Sequence, residues 1–501
     1  MCKIKYKYIV EIMSQITKVK NGFKYLKNGW TYVSIKGSPF ERGFAYGKLI
    51  KDDMIKVMKT IEFIIYNDYG VKWSFFVEAC KKYYSKKIED QYPEFYEEMK
   101  GFAKGANMDV HNVIAWNNYF TLTESWWANM PEEELIAIKG SIKNLASGVK
   151  EGGQQERCTA FIAVGDWTKD GKIVVGHNNF SNFADGQFAK YVLSIQPTKG
   201  KNILMMGFPG WIWSGTDFFV TSAGIIGTET TIGGFIAYEN NIPISCRIRQ
   251  AMQYGENLDD YEKLLLEGNS GDYANSWLFA DINKNEIMRI ELGLKYHNTE
   301  RTNNGYFIGF NAAYDPRIRN LECVNSGFDD LRRHQGARRV RLEQIIHDYK
   351  GKLDIQNARS ILADHYDTYL NKENPCSRTC CSHYDLDARE YMSDPSRPKP
   401  FQPRGALDGN VCDTNMASKM GFCLRWGNSC GIPFYKNKFC DENPIWDYLR
   451  DYLEDRPQQQ WTDFFINDSL QLKRKILMKT NKSKNKTNNR KKQTKRIKQT
   501  N

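Results

Sequence analysis

The chain is predicted to be a layered α+β protein on three observations: an apolar stripe at helical spacing near the N-terminus, a succession of short strand-like runs in the middle, and two helical runs that follow those strands rather than alternate with them. The stripe is Ile50, Met54, Val57, Ile61 and Ile64, at steps of four, three, four and three, which places all five on one helix face. Ser38-Pro39 followed by Glu41 marks the start of that helix. A second helical region, from about Phe75 to Ala106, carries Tyr83, Tyr84, Tyr92 and Tyr96 and ends near Gly105. The first third is therefore expected to be mostly helical and to form a lid or outer layer.

Between Lys139 and Arg157 the periodicity gives way to Lys139-Gly140-Ser141, Ser147-Gly148 and Gly152-Gly153-Gln154-Gln155-Glu156, which predicts an exposed loop. From Cys158 onward come the runs Thr159 to Val164, Ile173 to Val175, Tyr191 to Ile195, Ile203 to Met206, Phe218 to Thr221, Ile225 to Thr228, Trp277 to Asp281 and Ile287 to Ile290. Turns such as Lys169-Asp170-Gly171 separate them, and helices are predicted over Leu331 to Tyr349 and Ile355 to Asp364. Pro395, Pro398, Pro400 and Pro403 predict an extended brace, and Gly405 to Phe434 a compact block rich in Gly, Cys and aromatics. No internal repeat is seen.

At 501 residues the chain calls for two domains or one large layered domain with added segments. A hydrophobic fraction of 41% and an aromatic fraction of 13% are those of an ordinary globular protein. The net charge of +12 is a property of the C-terminus: Lys473 to Asn501 hold thirteen Lys and Arg and no acid, so the other 472 residues carry −1. That tail, 473–501, reads as a basic disordered appendage, and nucleic acid is not expected as a partner except through it. No apolar run is long enough to span a membrane, so the chain is expected to be soluble or peripheral. Glu11 interrupts the apolar run Tyr8-Ile9-Val10, so Met1 to Lys20 does not read as a secretory signal.

The twelve cysteines show no disulfide-scaffold spacing. Cys376, Cys380, Cys381 and His383, with His365 upstream, invite a zinc reading. Their spacing contains no CxxC pair and adjacent cysteines rarely ligate one ion, so no metal is expected, and a structural cluster or a disulfide is the preferred reading. No phosphate-binding glycine loop is present, and no cofactor is expected.

Cys158, at the head of a strand and directly after a flexible loop, has two uses in catalysis. A neighbouring histidine can activate its thiolate, and His177 is the nearest in sequence. Alternatively the peptide bond before it is cut, and the freed α-amine, with a pKa of about 7.7–8.0, serves as base for the thiol of its own residue.

The run Arg157-Cys158-Thr159-Ala160-Phe161-Ile162, followed by Gly171-Lys172-Ile173-Val174-Val175-Gly176-His177-Asn178-Asn179-Phe180, resembles the nucleophile strand and its partner in the phospholipase B-like family. Further blocks resemble that family in order: Pro209 to Phe219, Ser222 to Ile232, Gly268 to Trp277, Asn374 to Arg378 and Gln402 to Gly409. The resemblance spans roughly Gly37 to Phe434. It implies the four-layer αββα sandwich of N-terminal-nucleophile hydrolases, with residues 1–157 as an N-terminal helical segment and processing loop and 158–472 as the catalytic domain. It implies self-cleavage between Arg157 and Cys158, attack by Cys158 on an acyl carbonyl, and donation from Asn275 to the oxyanion. His177 and Thr230 would line the site and orient the nucleophile, and Glu229 would hold its strand. Trp211, Trp213 and Phe218 are expected to line a substrate groove.

Related bile-salt and ceramide amidases carry Arg-Asn-x-Asp after the nucleophile strand, where this chain has His177-Asn178-Asn179-Phe180, which favours the phospholipase B-like branch. The expected substrate is a phospholipid or another small acyl compound, ester or amide; the alternatives are an amidase or acyltransferase acting on acyl-amino compounds, or a catalytically inactive shell that binds lipid or a partner protein, and the family resembled is lysosomal or secreted.

Overall fold

A computed structural model describes residues 16–138, 158–215, 218–390 and 399–466. The expected processing loop with Arg157, the prolines Pro395 and Pro398, and the basic tail lie outside these residues.

The strands, in chain order, are β1 (Thr17–Val19), β2 (Gly22–Lys27), β3 (Trp30–Gly37), β4 (Cys158–Gly165), β5 (Gly171–Asn182), β6 (Tyr191–Pro197) and β7 (Ile203–Gly207). They continue with β8 (Phe218–Thr221), β9 (Ile225–Thr231), β10 (Asn275–Asp281), β11 (Glu286–Leu292), β12 (His297–Thr302) and β13 (Gly305–Gly309). Last come β14 (Tyr366–Asp367), β15 (Lys372–Glu373), β16 (Arg404–Ala406), β17 (Asp408–Asp413), β18 (Gly421–Trp426) and β19 (Thr462–Phe465). The larger sheet has the order β1-β2-β3-β6-β7-β8-β9-β10-β11-β12, and the smaller one runs β13-β4-β5-β17-β18-β19, with β16 also pairing to β5.

The chain is thus mixed α+β with a long N-terminal helix, but its first described elements differ from expectation. Residues 17–37, in the segment expected to be mostly helical, form β1 to β3. The cause is local. Trp30-Thr31-Tyr32-Val33-Ser34-Ile35 is a β-branched and aromatic run buried on both faces, so it lacks the alternation that marks a half-exposed strand. β3 lies parallel to β6, with Thr31 opposite Tyr191, so the segment before Cys158 shares a sheet and a core with the segment after it.

Strand alternation sets the layers. Ala160, Ile162, Val164, Ile173 and Val175 share one core with residues of the larger sheet such as Phe218, Ile226 and Leu278. Their neighbours Phe161, Ala163 and Val174 face the opposite way, onto Leu342, Ile345 and Ile361 of the helices His334–Asp348 and Ile355–Leu362. On the far face of the larger sheet Tyr261, from the helix Leu258–Leu266, packs its ring on Phe279 at 5.0 Å. Residues of both sheets therefore share one core, and helices pack beside each sheet.

The helix Pro39–Tyr69 starts where the sequence signals it, with Glu41 Oε2 accepting from the Ser38 hydroxyl at 2.8 Å. It buries Ile50, Met54, Val57, Ile61 and Ile64. Against it lies the helix Pro93–Ala106, so close that a Cβ on Gly47 would stand 2.2 Å from the Phe102 carbonyl oxygen. Glycine is required there by backbone contact. Beside this crossing Glu98 is buried between two guanidiniums, accepting from Arg42 Nε at 2.7 Å and from Arg249 at 2.9 Å. Among the described residues no helix is long and apolar enough to cross a membrane.

Candidate active site

Cys158 is the first residue of β4 and is fully buried. Two side chains grip its main chain. Its N–H donates to Asn311 Oδ1 at 3.3 Å, and its carbonyl accepts from the Arg338 guanidinium. Arg338 also donates to the Thr159 hydroxyl at 3.0 Å and to Asn311 Oδ1 at 2.7 Å, so one rigid fork ties together Cys158, its neighbour and the amide that faces it.

Local sequence explains the placement. Asn311 follows β13 in the left-handed region at φ 69°, a conformation asparagine tolerates, and this turns its amide back toward β4. Its Nδ2 then donates to the Thr231 carbonyl at 2.7 Å, linking the smaller sheet to the end of β9. Arg338 comes from the second turn of the helix His334–Asp348, and a guanidinium remains charged even when buried, as this one is.

The strand register places His177 near Cys158: Cys158 pairs with Asn179 and Ala160 with His177, and paired residues share a face. The imidazole lies under the Phe218 ring, with centroids 6.2 Å apart, and its Nδ1 is 3.1 Å from Asn410 Nδ2. Complete burial pushes its pKa down to about 3. His177 is therefore neutral near pH 7. Asn410 also donates to Asp408 at 2.9 Å, and the same carboxylate oxygen accepts the Asn179 N–H at 2.9 Å. A buried acid, Asp408, thus stands behind β5 at Asn179.

Thr230 lies across the sheet interface. A Cβ on Gly309 would meet its Cγ2 at 2.5 Å, and Gly309 is the Cα partner of Ala160. Asn275 opens β10 as the Cα partner of Thr231, the residue whose carbonyl Asn311 holds. Asn275 and Asn311 thus meet one residue from two directions. Glu229 accepts from the Tyr273 hydroxyl at 3.0 Å, which ties β9 to the turn before β10.

The aromatic residues expected to line an open groove are placed differently. Trp211 and Trp213 are buried and stacked on each other at 4.8 Å, inside a cluster with Trp116, Phe120 and Phe208. Asn117 of the helix Val110–Asn117 accepts the Trp213 indole N–H on its carbonyl at 3.0 Å. Phe218 is equally buried. The helical layer covers the loop that carries the tryptophans.

The family model described as Phospholipase B matches residues 26–465. The chain belongs to the phospholipase B family. Among its relatives in that family are a phospholipase B of Crotalus adamanteus, 26% identical over 250 residues, and the phospholipase B-like 1 protein of Bos taurus, 24% identical over 253. Those matches cover 44% of this chain and 42% and 43% of the two relatives, so the chain aligns with less than half the length of each. A solved conjugated bile acid hydrolase from Clostridium perfringens is similar with a TM-score of 0.33 and 12% identity, covering 54% of this chain and 89% of that one.

In this phospholipase B family member the candidate site residues Cys158, His177, Thr230 and Asn275 were legible in the sequence. Asn311 and Arg338 were not. Arg338 sits in a basic run with Arg332, Arg333, Arg339 and Arg341, which reads as a solvated helix face, whereas its own side chain is fully buried. A charged residue aligned with the apolar positions Leu342 and Ile345 was the available signal.

Proposed function

We propose that the chain is a self-processing acyl hydrolase with the four-layer αββα architecture of N-terminal-nucleophile enzymes, cut between Arg157 and Cys158. The observation that carries this reading is that Asn311 and Arg338 hold the main-chain nitrogen and carbonyl of Cys158. A thiol enzyme of the papain type uses its cysteine side chain alone. One that uses the residue's own nitrogen as base must fix that nitrogen as well.

In processing, the Cys158 thiol adds to the Arg157 carbonyl, the C–N bond breaks as the amide nitrogen takes a proton, and water then hydrolyses the resulting thioester. The new α-amine remains beside Asn311 Oδ1, and the Arg338 charge lowers its proton affinity, which leaves it free to accept the thiol proton. The thiolate attacks the acyl carbonyl, and the oxyanion takes a hydrogen bond from the Asn275 amide. The leaving alcohol departs with the proton that the amine held. Water, deprotonated by the same amine, releases the acid and regenerates the thiol.

Phospholipid is the substrate class favoured by family membership. The same attack geometry serves an acyl amide, so the acyl bond is to be assigned by experiment. Processed protein is mixed separately with phosphatidylcholine and with an N-acyl amino acid, quenched in acid and weighed. The expected result is an acyl adduct on the fragment that begins with Cys158. Turnover that persists in Cys158→Ala, with no adduct from either substrate, overturns the proposal.

A further inference from the structure

Away from Cys158, four side chains from three separate stretches converge on one point. The ligand-capable atoms of His365, Cys381, His383 and Cys430 all lie within 4.8 Å of one another. Cys381 Sγ and Cys430 Sγ stand 3.5 and 3.4 Å from His383 Nε2. A tetrahedral zinc ion with bonds of about 2.3 Å to sulfur and about 2.0 Å to nitrogen separates its S and N ligands by about 3.5 Å. Both edges fit that geometry.

The His365 ring lies 5.1 Å from the His383 ring, and its Nε2 is buried without a hydrogen-bond partner among the described residues. A buried imidazole nitrogen left unsatisfied is costly unless something binds it. The surroundings also suit a metal. Asp385 stands 3.4 Å from His383 Nδ1, the arrangement in which a carboxylate fixes a ligating histidine, and the Ile432 N–H points at Cys430 Sγ from 3.5 Å.

We propose that His365, Cys381, His383 and Cys430 form a structural His2Cys2 site for zinc. Four protein ligands close the coordination shell, so the ion has no position open for substrate. Its effect is on the fold. Cys381 and Cys430 pack with Phe180 and Ala406, and Phe180 follows Asn179, the strand partner of Cys158. The ion pins the turn after Asp364, the stretch Cys381 to His383 and the loop at Cys430 against the end of β5.

The neighbouring cysteines are spoken for differently. Cys380 faces the apolar core under the helices, and Cys376 reaches toward Asp367 at 3.6 Å. This is why the linear spacing gave no zinc pattern: only one of the two adjacent cysteines turns inward, and the second sulfur arrives from Cys430 in a later loop.

Zinc in the full chain, purified without chelator from zinc-supplemented medium, tests the site. The expected content is about one ion per chain. Cys430→Ser and His365→Ala should each lose most of it, while Cys380→Ser and Cys376→Ser keep it. Because the ligand variants can fail to fold, the wild type is also stripped with a chelator and titrated with Zn2+ and, separately, Co2+. Two thiols should become reactive on stripping and be protected again on titration, and the cobalt form should show thiolate-to-cobalt absorption. Wild type that takes up no zinc, a Cys381–Cys430 disulfide in the purified chain, or zinc retained by Cys430→Ser overturns the proposal. None of these outcomes depends on whether Cys158 is catalytic.

Discussion

The Arg338 guanidinium donates to the main-chain carbonyl of Cys158, so the helix His334–Asp348 places a buried positive charge at the head of β4. A cation there lowers the proton affinity of a neighbouring amine. Replacing Arg338 with Met should therefore move the acidic limb of the kcat/KM profile to higher pH. Arg338→Lys, which keeps the charge and loses the fork, should leave the limb in place and lower the rate. The pH–rate profiles of the two variants are the measurement.

Asn275 and Asn311 should separate cleanly. Asn275→Ala is expected to lower kcat by about 10²–10³ while processing continues, because only the oxyanion loses a donor. Asn311→Ala removes the acceptor of the Cys158 nitrogen and should slow processing itself. Kinetics and gel analysis of the two variants, side by side, check this.

His177 gives the fold a pH dependence whose sign is fixed. Its pKa is held at about 3 in the folded chain against 6.5 for the free side chain. Between those values the unfolded chain binds a proton that the folded one does not. Stability is then full above about pH 6.5 and is lost as pH falls toward 3, by an amount on the order of a few kcal/mol. Urea midpoints from about pH 7 down to about pH 4 should drop in the wild type and drop less in His177→Gln.

Glu98 carries the charge balance under the N-terminal helices. Glu98→Gln leaves Arg42 and Arg249 buried without the carboxylate they share and should cost about 3–5 kcal/mol in chemical unfolding.

Much of this arrangement was legible from local pattern, and the rest required tertiary pairing. The stripe Ile50 to Ile64 and the capping pair Ser38 and Glu41 predicted the long helix because both signals are local. The strands from β4 to β11 were equally visible, since each is a short β-branched run between turns. β3 was missed because it is buried on both faces and its partner β6 lies some 160 residues further along the chain. Asn311 escaped for a related reason: a single asparagine after a strand is an ordinary turn residue until β13 pairs with β4 and brings it opposite Cys158. The tryptophan pair was recognised as important but read as a groove, because nothing local tells a stacked internal pair from an exposed one.

The central claim is that the bond before Cys158 is cut by the protein itself, and intact mass with N-terminal sequencing of the purified chain tests it most directly. Wild type should resolve into two pieces, one of which begins with Cys158, and Cys158→Ala should remain a single chain. A wild-type chain that stays whole through incubation at acidic and neutral pH, yet hydrolyses an acyl substrate, would contradict it.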